Sequence, residues 1–125
     1  MTLEYKISIK PSFVDKRGAI TNVLEVPIEH VVFITSKKGS VRGNHYHKLE
    51  TQYVYLIRGE ILSYSKDVFD LEAPVQKLHV LPGDLIVTGP YCAHKHVYLK
   101  DSWFINLNTM PRKKLEGEDT FRFEM

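Results

Sequence analysis

Short runs rich in Val, Ile, Tyr and Phe recur along the chain between Gly, Pro, Asn and Asp punctuation, and no stretch sustains a period of 3.6 residues. This pattern argues against a helical bundle and predicts a nearly all-β domain. Strands are expected over Glu4–Ile9, Ala19–Val26, His30–Thr35, Arg42–His47, Thr51–Arg58, Ile61–Ser65, Val75–Leu81, Asp84–Val87, His94–Leu99 and Trp103–Leu107. Turn chemistry separates several of them, at Asp15-Lys16-Arg17-Gly18, Lys38-Gly39, Arg58-Gly59, Pro82-Gly83-Asp84 and Lys100-Asp101-Ser102. So many short strands in 125 residues point to a single sandwich or barrel, one domain over 1–125. From Asn108 onward alternation fades and charge rises. The segment 109–125 is read as a C-terminal tail packing on the barrel or on a partner subunit, with Phe121 and Phe123 on one side of an extended edge strand.

Composition narrows the function classes. Seventeen basic against fifteen acidic residues leave a formal charge of +2, too weak a field to imply nucleic acid or an anionic membrane. No run approaches the roughly 18 apolar residues of a membrane span. Cys92 is the single cysteine and cannot close an internal disulfide, so packing alone must hold the fold, which suits the cytoplasm. Nothing beside Cys92 marks it as an activated nucleophile.

Four of the six histidines fall in two His-x-His pairs, His45/His47 and His94/His96. Residues two apart on a strand share a face, so each pair projects to one side of a sheet, the arrangement of metal ligands or of acid–base catalysts. His30 and His79 are read as ordinary polar residues.

Around these pairs the sequence resembles the cupin superfamily. Gly39, His45, His47 and Gly59 fit its first motif, with Gln52 where a glutamate is expected and Glu50 two residues early; Gly83 and His94 fit the second, where Gly89, Tyr91 and Tyr98 replace Pro, Gly and Asn. The resemblance implies a double-stranded β-helix, or jelly-roll barrel. Within cupins, Arg42-Gly43-x-His45-x-His47-Lys48, Gln52 and Gly59 resemble the small dTDP-sugar 3,4-ketoisomerases. Phe13-x-Asp15-x-Arg17-Gly18 is similar to the opening of those enzymes and of the related 3,5-epimerases, and Gly89-Pro90 and Asp119-Thr120-x-Arg122 also suit the ketoisomerase pattern. Asn44-His45-x-His47 is similar to the metal-binding cupin domain of capsule-sugar reductases. One departure is Val32-Phe33, where the ketoisomerases carry a tyrosine; Tyr46, Tyr53, Tyr55 and Tyr98 are candidates to replace it.

The resemblance implies isomerisation of a dTDP-4-keto-6-deoxyhexose for surface-polysaccharide synthesis, with no cofactor required. Imidazole, with an unperturbed pKa near 6.5, suits proton transfer at neutral pH. His45 is the candidate base, His47 the second acid–base group, and His94 a donor to the developing enolate. Arg17 and Arg42 are candidates for the diphosphate, Arg42 only if a bulge at Gly43 turns it toward the site. Asn44, Tyr46, Gln52 and His96 are expected beside the substrate. Two alternatives stay open: a divalent metal (Zn, Fe, Ni or Mn) on His45, His47, Gln52 and His94, or a noncatalytic sugar-binding module. A homodimer is expected through the apolar parity of Tyr53, Tyr55 and Ile57.

Overall fold

The computed structural model describes residues 3–125, without the side chains at 115 and 116. Twelve strands and one short helix follow one another: β1 (Tyr5–Ser8), β2 (Phe13–Asp15), β3 (Gly18–Ile20), β4 (His30–Ser36), β5 (Val41–Tyr46), β6 (Gln52–Arg58), β7 (Ile61–Asp67), β8 (Gln76–Val80), β9 (Asp84–Thr88), β10 (Cys92–Tyr98), β11 (Ser102–Asn108), α1 (Arg112–Glu118) and β12 (Phe121–Arg122). One five-stranded sheet runs β1-β9-β6-β11-β4, the other β12-β5-β10-β7-β8, and β2 pairs only with β3. The result is an all-β jelly roll. No described helix is long and apolar enough to cross a membrane.

Alternation along each strand decides what lies between the sheets. On β6, Gln52, Val54 and Leu56 are buried while Tyr53, Tyr55 and Ile57 turn outward. Val54, Leu56, Ile61, Val80, Ile86, Tyr98 and Phe104 form the core, with Ile34 and Leu78 packed against it. Each large side chain removed from water contributes about 1.5–3 kcal/mol. On β10 the outward residues Lys95 and Val97 are only half-buried, whereas His94, His96 and Tyr98 point inward with the core.

Two segments depart from the expected strands. Only Ala19 and Ile20 of the expected Ala19–Val26 strand lie in a ladder, in β3 paired with β2. Residues 21–25 instead lie against the outer face of the first sheet, where Val23 and Leu24 line a groove of about 400 Å³ with Tyr55, Ile105 and Leu107. Their apolar side chains are met by packing rather than by strand pairing, and Pro27 has no N–H to extend a ladder. The second departure is α1, two turns of helix in a segment with no strand alternation, entered through Pro111.

Candidate active site

Gly43 and Asn44 set the direction of the site residues on β5. His45 pairs with His94, but the next pair is Gly43 with Lys95, so Asn44 is an extra residue in the ladder. Positive φ angles at Gly43 (102°) and Asn44 (58°) form this bulge, the conformation Gly and Asn adopt most readily. Beyond it Arg42 pairs with His96. His94 and His96 share a face, so Arg42 and His45, three residues apart, share it too. A regular strand would have sent them to opposite sides.

The imidazoles of His45, His47 and His94 meet in one cluster, with ring centroids 5.0, 4.7 and 5.5 Å apart. His47 Nδ1 donates to the Asp119 carbonyl at 2.5 Å, and His94 Nδ1 to that of Cys92 at 3.1 Å. A carbonyl only accepts, so each Nδ1 carries the proton and each Nε2 presents a lone pair. His47 Nε2 is buried with no hydrogen-bond partner. Burial dominates the electrostatics. It lowers the pKa of His45 to about 4, helped by the neighbouring charges of His47 and Arg122, and that of His96 to about 4, helped by His45. Burial also holds His94 well below its usual value and lowers His47, for which the bond to Asp119 pulls the other way. At neutral pH all four rings are uncharged bases.

A cavity of about 380 Å³ opens beside the cluster, lined by Arg42, Gly43, His45, Gln52, His94, His96, Tyr98 and Asn106, with Ile34, Val41, Val54 and Phe104 as its apolar walls. Three of its polar atoms, His96 Nε2, Tyr98 Oη and Asn106 Oδ1, are buried without a well-formed hydrogen bond. Burial raises the Tyr98 phenol to about 12, against the influence of Ser36 and Arg42, so it stays a proton donor. Arg42 crosses to the other sheet, donating to Ser36 Oγ at 2.7 Å and the Thr35 carbonyl at 3.2 Å.

The expected site residues are distributed unevenly. His45, His94, His96, Gln52 and Arg42 line the cavity; His47 touches it only through the other rings. Arg17 does not line it: it sits exposed on the β2–β3 hairpin, with its guanidinium on Asp15 at 2.7 Å. Asn44 and Tyr46 also lie elsewhere. Asn44 Oδ1 accepts from the Met125 N–H, and Tyr46 stacks on Phe121 and Tyr91. Among the candidate tyrosines Tyr98 alone lines the cavity, and Phe33 faces outward against Trp103. Glu50 is fully buried and accepts from Thr109 and Met110, a tie between loops. His30 is bound by Met110 and Asn108, and His79 by Glu60. Cys92 is buried, its thiol pushed up to about 11 by desolvation, and is inert at neutral pH. Asn106 and Asp119 were not anticipated as site residues. An asparagine interrupting the otherwise apolar run from Trp103 to Leu107 was the available signal for the first.

The three rings of this cluster fit a shared cation. One nitrogen from each of His45, His47 and His94 lies within 4.8 Å of the others. Two of the rings are oriented by backbone carbonyls at the opposite nitrogen, as metal-ligating imidazoles usually are.

No family model and no curated protein matches the chain. Among solved structures it resembles the dTDP-4-dehydrorhamnose 3,5-epimerase of Sulfolobus tokodaii, with 25% identity and a TM-score of 0.68 over 87% of this chain and 70% of that one. It also resembles the 3,4-ketoisomerase QdtA of Thermoanaerobacterium thermosaccharolyticum, solved as a mutant with TDP-4-keto-6-deoxyglucose: 18% identity and a TM-score of 0.79 over 98% and 88% of the two chains. The capsular polysaccharide assembling protein CapF of Staphylococcus aureus gives 21% identity and a TM-score of 0.70, covering 94% of this chain but 33% of CapF. These likenesses place the chain, by fold, with the cupin-like barrels of the dTDP-sugar 3,5-epimerases and 3,4-ketoisomerases.

Proposed function

We propose that the protein is an isomerase or epimerase of a nucleotide-linked 4-keto-6-deoxy sugar, the 3,4-ketoisomerase reaction being the specific form. The observation that carries this reading is the cavity itself. It has the volume of a small-ligand site, with uncharged imidazoles on one wall and the polar side chains of Gln52, Tyr98 and Asn106 among its lining. Likeness to sugar-nucleotide enzymes of the same fold supports the substrate class.

The chemistry needs no oxidant. His45 takes the proton from C3, and the C3–H electron pair forms the C3–C4 double bond of an enediolate as the C4 carbonyl becomes O⁻. The O3 proton passes to O4, and the His45 imidazolium then gives its proton to C4, which leaves the carbonyl at C3 and the imidazole neutral again. An imidazole with a pKa near 4 is a weak base, so the enediolate must be stabilised by donors already in place. The Tyr98 hydroxyl and the Asn106 amide are the candidates. Arg42 is the candidate for the diphosphate, through its free guanidinium hydrogens. Incubation with dTDP-4-oxo-6-deoxyglucose in deuterated water tests the reading: the C3 proton signal should disappear at a protein-dependent rate that His45→Ala abolishes. Absence of exchange with the wild-type protein would overturn it.

A second reading rests on the tautomers. His47 and His94 keep unprotonated Nε2 atoms, and one ring nitrogen of each lies within 4.8 Å of one of His45, so the three would hold a divalent cation, with Gln52 on the same cavity wall. Such an ion would supply Lewis-acid polarisation of a bound carbonyl. Equilibrium dialysis against zinc, nickel, iron or manganese should give near one ion per chain, lost in His47→Ala. We also propose a homodimer through the outward apolar residues of β4, β11 and β6.

A further inference from the structure

The C-terminal segment returns to the site strand. Phe121 and Arg122 pair with Tyr46 and His45, and the Phe123 N–H donates to the Asn44 carbonyl at 2.8 Å. Just before this strand, Asp119 is 2% exposed. Its carbonyl accepts from His47 Nδ1 at 2.5 Å, and its carboxylate accepts from the backbone N–H groups of Lys48, Leu49 and Glu50 at 2.8 to 3.2 Å. One residue therefore holds both the ring of His47 and the three peptides that follow it. Successive N–H groups converging on one carboxylate form the kind of anion-binding concavity that fixes a turn.

We propose that Asp119 is a positioning residue for the imidazole cluster, fixing the tautomer and ring plane of His47 so that its Nε2 lone pair faces His45 and His94. The carboxylate anchors the turn and thereby keeps the carbonyl on the ring. Without the carboxylate, β12 still pairs with β5 and Phe121 still stacks on Tyr46, so the loss is local. Its contribution to turnover rests on the proposed function, whereas its hold on the ring does not.

Nitrogen NMR of the full-length protein carrying isotope-labelled histidine reads the tautomers directly. In the wild type His47 should show a single Nδ1–H form. In Asp119→Ala its two ring nitrogens should average, while His94, held by Cys92, keeps its signals. Exchange at the sugar C3 should fall about 10- to 100-fold, the usual effect of losing such an orienting partner, with KM little changed. A single unaltered tautomer for His47 in Asp119→Ala overturns the proposal, and so do equal changes at His94, which would mean general loosening. If Asp119→Ala does not fold, Asp119→Asn, which keeps one acceptor oxygen, is read by the same signals and the same two outcomes. Failure of the wild type to exchange C3 would count against the proposed function alone, because the NMR signals still decide the role of Asp119.

Discussion

At position 43 a side chain has nowhere to go: an added Cβ would meet the His94 carbonyl oxygen at 2.7 Å, and φ is +102°. Gly43→Ala should therefore lower stability by about 1–3 kcal/mol in urea titrations and, by shifting the bulge, slow C3 exchange. Glu4 poses a different residue-scale problem. It is buried against Ser63 and Thr88, whose hydroxyls donate to it, and desolvation raises its pKa from 4.5 to about 7. A raised folded-state pKa adds stability below the unfolded value that is lost as pH climbs through 7. Melting in buffers from pH 5 to 8.5 should show the wild type losing up to about 3 kcal/mol that Glu4→Gln retains. His45 and His96 behave oppositely: their pKa values near 4 make stability fall as pH drops from 6.5 toward 4. The acid limb of C3 exchange should likewise lie near pH 4, which a pH–rate profile of kcat/KM will read.

At the scale of elements, β5 works as a site strand because neighbours lie on both sides of it. β10 supplies His94 and His96 across one edge, and β12 brings the chain end along the other. Tyr46 and Phe121 stack at 5.4 Å and Lys48 lies 4.3 Å from the Phe121 ring centre. Phe121→Ala should speed hydrogen exchange at the amides of β12 and the adjoining part of β5, at a cost of about 1 kcal/mol, the scale of one aromatic pair. Most strands were legible because two-residue alternation survives in the sequence wherever one face is buried. Residues 21–25 were not. Their apolar residues serve a face of another sheet, and such a contact leaves no periodicity of its own. The helix at 112–118 is too short to show one.

At the scale of the molecule, the two sheets enclose the site on their inner faces and leave apolar residues outside. Phe33 and Trp103 meet edge to face at 6.2 Å yet are 57% and 43% exposed, with Val31 and Ile57 exposed nearby. The proposed dimer predicts a two-chain mass by sedimentation for the wild type and a one-chain mass for Phe33→Lys. The sequence by itself determined the all-β class, the shared face within each of the two histidine pairs and the chance of a bulge at Gly43, because these follow from local spacing and local backbone freedom. It also put Arg17, Asn44 and Tyr46 beside the substrate, and none of the three lines the histidine-walled cavity. Only the tertiary structure decided that Asn106, Tyr98 and Asp119 join the imidazoles. Convergence of residues tens of positions apart depends on how the sheets stack and where the chain end returns, and no short-range pattern carries that information.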